Sequence, residues 1–218
     1  MRDLENVILN VKEYEAFFFD HDGLLVDTVT ADYLSCCKVF ESLNMTLDKN
    51  EWEQNVCGNI NGYSILFKTL PITVEEAHQR LQHEWDKTFI PANITLMPGV
   101  EKLLSTLSLE NLYMAVVSAA SIEWVERWLK HFSLEKYFSH IESGEILKRN
   151  KPFPDVYLAA AEKCNVNPKN CLVFEDSYSG VRAAKAAGMT VVAVTPRPSP
   201  AIIDLADYYF QNLDIIVF

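Results

Sequence analysis

"FFFDHDGLLVDT", residues 17–28, decides how the rest of the chain is read. An apolar run, Ala16 to Phe19, ends in two aspartates one residue apart, and Gly23 follows. Residues 15–20 have the character of a buried strand. Side chains i and i+2 of a strand face the same way, so Asp20 and Asp22 point to one side as the chain leaves it. Gly23 then permits a sharp turn. Two carboxylates gathered at the end of an apolar strand are costly to desolvate, which asks for a chemical reason for their being there.

Downstream of Thr28 the pattern turns helical for roughly 65 residues. Val29, Tyr33, Cys36, Phe40 and Leu43 form one apolar stripe, and Asp48 followed by Glu51 resembles a helix start. Thr73 with Glu76 reads as a capping box, and Pro91 closes that helix. From Met97 onward strands and helices alternate. "PGVEKLLSTL" opens a helix with Pro98 near its first turn, and "LYMAVVS" (112–118) is a strand. Ile122, Val125, Trp128 and Leu129 mark an amphipathic helix, and "PDVYLAAAEK" is helical. "CLVFED" (171–176) is a strand, "SGVRAAKAAG" a helix stopped by Gly188, and "TVVAVT" (190–195) a strand. This alternation predicts an α/β fold, a Rossmann-like parallel sheet with helices on both faces. The core is expected to comprise 1–28 and 97–218, with an inserted α-helical domain over 29–96.

The bulk numbers narrow the function. The 218 residues are 49% hydrophobic, ample for a core, and carry a formal net charge of −11. Such a charge argues against nucleic acid or an anionic membrane as partner. An anionic substrate would then need a locally cationic site. Five cysteines, with no Cys-x-x-Cys pair, read as free thiols in a reducing cytoplasm. Arg2, Asp3 and Glu5 without a long apolar run give no expectation of a signal peptide. No 18-residue apolar stretch predicts a membrane span. The five histidines lack zinc spacing, and there is neither a Walker A sequence nor a Gly-x-Ser-x-Gly elbow. Gly58 and Gly62 of "CGNING" do not follow a strand, so they form no dinucleotide fingerprint.

Reactive residue types recur at the other strand ends. Ser118 closes one strand, Glu175 and Asp176 close another, and Lys151 stands in a loop before "PFPDVY". Ligands of open α/β sheets bind beyond the carboxyl ends of the strands. Each feature alone has an ordinary explanation. Asp-Gly is a common turn, Ser118 a polar strand end, "KRNK" (148–151) a solvated basic run, and Glu175–Asp176–Ser177 an acidic helix start. A calcium loop fails because Leu24 holds the third ligand position. "DHDGLLVDT", then the strand ending in Ser118, then "KPFPD", then "EDS", in that order, resembles the haloacid dehalogenase superfamily. The likeness covers essentially the whole chain and points to the phosphatase and phosphomutase branch with a small α-helical cap.

The resemblance implies that Asp20 is the nucleophile, becoming an aspartyl phosphate, and that Asp22 is the general acid and then the general base. It implies that Ser118 and the Ala119 amide hold phosphoryl oxygens while Lys151 offsets their charge. It also implies Mg²⁺ on Asp20, the Asp22 main chain and Asp176, with Glu175 either ligating the metal or supporting it through water. The family's dehalogenases and phosphonate-cleaving members lack a carboxylate at the Asp22 position, which leaves phosphate esters. The β-phosphoglucomutase pattern has a histidine where Asp32 stands, a cap arginine where Asn61 stands and a lysine where Ser121 stands, although Ser64 matches it. The expected function is hydrolysis of a small phosphate monoester, a sugar or polyol phosphate, by a monomer. Phosphoglucomutase-like transfer and a non-catalytic binding protein on the same fold are the alternatives. Asn59, Asn61 and Tyr63 are the cap-loop candidates for substrate contact. His21 departs from an apolar family position and is expected to pack on the opposite side of the strand from the two aspartates.

Overall fold

Phe17, Phe18 and Phe19 are wholly buried in the first strand, β1 (Ala16–Phe19). Burying each ring contributes roughly 1.5–3 kcal/mol. The computed structural model describes residues 9–56, 61–110, 112–196 and 198–216. Arg2, Asp3, Glu5, Cys57, Gly58 and Asn59, all singled out from the sequence, lie outside the described residues.

In chain order the helices are α1 (Thr28–Glu41), α2 (Lys49–Val56), α3 (Gly62–Phe67), α4 (Val74–Thr88), α5 (Val100–Ser108), α6 (Ile122–His131), α7 (Asp155–Lys163), α8 (Tyr178–Ala186) and α9 (Pro200–Leu205). The remaining strands are β2 (Tyr113–Ser118), β3 (His140–Ser143), β4 (Cys171–Glu175), β5 (Thr190–Val194) and β6 (Tyr208–Phe210). The described residues fall into two compact units, one within Met1–Val26 and Leu96–Phe218, the other Asp27–Thr95.

The first unit holds one parallel sheet in the order β3-β2-β1-β4-β5-β6. This is the doubly wound Rossmann-like order, and the chain reverses its direction of travel between β1 and β4. Buried parallel strands read as continuous apolar runs, which is why β1 and β4 were legible. The sequence predicts four strands and the sheet has six. The two extra strands are its edges. The β3 sequence "HIES" holds a single apolar residue, and β6 is only "YYF", because an edge strand lacks a neighbour on one side and needs no continuous run.

Local signals set the helix ends. Asp27 caps α1 through Thr30 N at 3.1 Å, and Asp48 accepts from Glu51 N at 3.0 Å. Thr73 Oγ1 accepts from Glu76 N at 3.1 Å, but the Glu76 carboxylate takes Arg80 at 2.7 Å, so the predicted box forms one of its two bonds. Pro98 lies just ahead of α5, near its first turn as expected, and Gly99, at φ +90°, is the N-cap. Gly188, at φ +80°, ends the α8 segment with its N–H on Lys185 O.

Among its described residues the regular elements of the second unit are all helices, with Val39, Phe40, Trp52, Phe67, Ala77 and Leu81 in its core. Asp32 of α1 accepts from Trp85 Nε1 of α4 at 2.7 Å and from the Tyr63 hydroxyl of α3, which ties three helices to one carboxylate. No helix among the described residues is long and apolar enough to cross a membrane. Cys36, Cys37, Cys164 and Cys171 are free; burial, assisted by Cys164, pushes the Cys171 thiol up to about 12.

Candidate active site

Strand register brings the acids together. Phe19 pairs with Val116 of β2 and Phe174 of β4, and Asp20 N extends the ladder onto Phe174 O at 3.0 Å. Asp20 is therefore level with Val117 and Glu175. Ala16 and Phe18 share an apolar cluster with Ala115, Val117 and Val173, and by strand parity Asp20 follows on that face.

Lys151 binds these three strand ends at once. Its Nζ donates to Asp20 Oδ1 at 2.7 Å, to Glu175 Oε1 at 2.6 Å and to Val117 O at 3.0 Å. An ammonium has three donors, so each is used, on β1, β4 and β2. The Lys151 side chain is 4% exposed and Glu175 is fully buried. Burial alone would lower the lysine's pKa, but Asp20 and Glu175 outweigh it and hold the group above its ordinary value. Asp20 is raised to about 7 by burial and then by Glu175, with Lys151 opposing.

Glu175 is engaged on both oxygens by direct bonds. Oε1 accepts from Lys151 and, at 2.7 Å, from the Tyr157 hydroxyl of α7. Oε2 accepts from Ser177 N at 3.3 Å and Ser177 Oγ at 3.1 Å. Gly180 is required beside it, since a Cβ there would lie 1.8 Å from Oε1. Glu175 thus orients Lys151.

Asp176 behaves differently. Its Oδ1 is buried without a hydrogen-bond partner among the described residues. Burial, then Asp20 and Glu175, raises its pKa well above the carboxylate range. One oxygen from each of Asp20, Glu175 and Asp176 lies within 4.8 Å of the others. Three acids against one ammonium leave this centre anionic. An orphaned buried carboxylate oxygen within an all-oxygen donor set fits a hard divalent cation such as Mg²⁺.

Asp22 stands in the turn that Gly23 makes at φ +83°, where Leu25 N and Val26 N both donate to His21 O. Trp124 Nε1 of α6 donates to Asp22 Oδ1 at 2.9 Å. His21 corrects the sequence expectation. It is buried, but its Nδ1 lies 3.2 Å from the same Asp22 Oδ1, out of line for a hydrogen bond, and Nε2 has no partner among the described residues. The cause is that β1 ends at Phe19, so two-residue alternation no longer governs position 21.

Ser118, at the end of β2, is buried, and its Oγ accepts from Ala120 N at 3.1 Å. Ala119 is exposed, and the loop is pinned by Asn150 Nδ2 on Ala119 O at 3.0 Å and Ser143 Oγ on Ala120 O at 2.6 Å. Asn61 is an exposed residue ahead of α3 in the helical unit. The sequence reading missed Tyr157, Ser177, Trp124, Asn150 and Ser143. All but Asn150, beside Lys151, and Ser177, beside Asp176, reach the site only through tertiary contacts.

The comparisons agree with this architecture. Residues 17–194 match the model of the haloacid dehalogenase-like hydrolases. The phosphorylated carbohydrates phosphatase of Thermotoga maritima is 34% identical over 180 residues, 80% of this chain and 82% of that one. The beta-phosphoglucomutase of Bacillus subtilis is 29% identical over 191 residues, 83% of each. A solved Thermotoga maritima structure described as a "putative beta-phosphoglucomutase" superposes with a TM-score of 0.76 at 29% identity, over 93% of this chain and 96% of that one.

Proposed function

The chain belongs to the haloacid dehalogenase-like hydrolases, and from that premise we propose an Mg²⁺-dependent phosphatase of small sugar or polyol phosphates that works through an aspartyl phosphate. The observation that carries this reading is the buried Lys151 ammonium, bonded to Asp20 and Glu175 beside the unpartnered Asp176 oxygen. With a divalent cation on these oxygens beside Lys151, an acidic protein would gain a site where an anion is tolerated.

In the first step a carboxylate oxygen of Asp20 attacks phosphorus, the ester P–O bond breaks, and the leaving alkoxide takes the proton of Asp22. In the second step water attacks phosphorus, Asp22 accepts its proton, and the Asp20–phosphorus bond breaks to release phosphate. Ser118 and the Ala119 amide hold phosphoryl oxygens, and the Lys151 ammonium beside them offsets their charge. Asp20, the Asp22 main-chain carbonyl and Asp176 would hold Mg²⁺, which supplies positive charge to the phosphoryl group and keeps Asp20 ionised. The helical unit is read as the cap, with Asn59 and Asn61 assigned to substrate selection. The named activity of the Thermotoga relative on phosphorylated carbohydrates supports the substrate class. Free cysteines support a cytoplasmic setting.

Hydrolysis is favoured over mutase chemistry by what occupies the departing positions. Asp32 is committed to Trp85 and Tyr63, and Ser121 caps α6. With β-glucose 1-phosphate and a bisphosphate primer, free phosphate is expected in excess of glucose 6-phosphate. Efficient isomerisation without phosphate release would establish the mutase reading, which Ser64 and the Bacillus relative favour.

The metal is tested by stability as well as turnover. Asp20 is raised to about 7 in the folded protein, above an ordinary value of about 3.9. A raised acid contributes stability below its unfolded value, and that contribution disappears as pH climbs through the folded value. Metal-free protein should therefore lose stability between about pH 4 and pH 7. Mg²⁺ competes with protons for the same oxygens, so it should raise Tm more at pH 8 than at pH 5. At a hundredfold excess over Kd the gain is about 2.7 kcal/mol. Asp176→Ala should abolish the Mg²⁺-induced rise and leave the fold intact. Undiminished turnover in chelator after verified metal removal would refute the assignment.

A further inference from the structure

We infer that Trp124 is a positioning residue for the proton-transfer step: its indole N–H holds the Asp22 carboxyl in the orientation from which it protonates the leaving group. The inference rests on the phosphatase reading above and adds a residue from α6 that is 102 positions away in the chain.

Asp22 stands beyond the end of β1, in a turn, with a side chain 30% exposed. Strand pairing does not fix its rotamer. A general acid must present its proton along one line to one oxygen, so a carboxyl that swings loses rate. Two rings approach Oδ1. His21 Nδ1 is at 3.2 Å but misaligned, while Trp124 Nε1 donates at 2.9 Å. The aligned donor is the tryptophan.

Trp124 is itself held in place. Its backbone N–H is the one capped by Ser121 Oγ at 3.2 Å, and its ring meets Trp128 edge to face at 5.8 Å. Trp128 is completely buried. Ser121 is the position where the mutase pattern carries a lysine, so the departure has a local purpose: it sets the first turn of α6 and with it the indole. The arrangement runs from the buried Trp128 through Trp124 to Asp22.

The test uses Trp124→Phe, which keeps a smaller aromatic ring against Trp128 and removes the N–H together with the pyrrole part of the indole. The probes are 4-nitrophenyl phosphate, whose leaving group departs unaided, and benzyl phosphate, whose alkoxide needs a proton. The readout is kcat/KM, which covers binding through departure of the leaving group. For benzyl phosphate kcat/KM should fall by roughly ten- to a hundredfold, the scale of a hydrogen bond to a charged group. For 4-nitrophenyl phosphate it should stay within about twofold by the same argument. Trp124→Gln, which restores an N–H donor without the ring, should recover part of the benzyl phosphate rate. Equal losses on both substrates would reduce Trp124 to packing and overturn the inference, as would no loss on either. In both cases the phosphatase reading survives if Asp22→Asn still abolishes benzyl phosphate cleavage. If Asp22→Asn leaves that cleavage intact, the phosphatase reading fails and this inference fails with it.

Discussion

Asp20→Asn should form no phosphoenzyme and lose essentially all turnover, whereas Asp22→Asn should trap one. The contrast follows from what each carboxylate supplies. Asp20 offers the attacking oxygen, and an amide in its place has no nucleophilic anion to offer. Asp22 moves protons, and removing a general acid–base group costs about a hundred- to ten-thousandfold. With an alkyl phosphate the Asp22 variant should stall at the first step, because a poor leaving group departs only when protonated. With 4-nitrophenyl phosphate the first step should proceed and the second should stall, since water still needs a base. Label from the phosphoryl group should then accumulate on Asp20 in rapid-quench trapping. Label on the Asp20→Asn chain, or normal turnover by both variants, would separate these residues from the roles assigned to them. Asp20→Asn also exchanges a carboxylate for a neutral amide beside Lys151, at 2.7 Å. Glu175 still pairs the ammonium at 2.6 Å, so the fold should tolerate the change.

The sequence carried the centre of this site because its residues sit at strand ends, where period-two patterning stops and chemistry begins. Asp20, Ser118 and Glu175 each directly follow or close an apolar run that marks a buried parallel strand, and Asp176 comes one residue later. Lys151 was legible only from motif order, since nothing local says that its ammonium travels to Asp20, 131 residues away. Tyr157 and Trp124 were not legible at all. An aromatic at a helical period reads as core, and the hydroxyl or indole N–H it delivers depends on packing that periodicity cannot specify. His21 was misread for the opposite reason: strand alternation was carried past the point where the strand ends. The polar edge strand β3 was invisible because an edge need not be apolar on both faces. Asp32 looked like a missing catalytic histidine in the sequence, and in the structure it is the acceptor that joins α1 to Trp85 of α4 and Tyr63 of α3.

Lys151→Met should cost both the fold and the reaction, and the two losses should be separable. Among the described residues the ammonium is the cation paired with Asp20 and Glu175 beside Asp176, and it is 4% exposed. Taking it away leaves buried carboxylates without their counter-charge, an event that costs about 3–5 kcal/mol in buried pairs. The loss should be greater at pH 8 than at pH 5, because protonating Asp20 relieves the repulsion that Lys151 opposed in the parent. Adding Glu175→Gln to Lys151→Met removes one of the stranded charges and keeps hydrogen-bonding groups facing Tyr157 and Ser177. Stability should recover in large part, read as Tm in chelator. Activity should not recover, since the double variant still lacks the charge that offsets the phosphoryl oxygens. Lys151→Arg is a third arm. A planar guanidinium does not reproduce three acceptors gathered at 2.6–3.0 Å around one nitrogen, so it should hold the fold better than methionine and still turn over slowly. If Lys151→Met alone retained near-parent kcat/KM, the ammonium would be only a structural tie between β1, β2 and β4. If the double variant regained activity along with stability, the loss in the single variant would be one of folding, and the role of Lys151 in phosphate binding would fall.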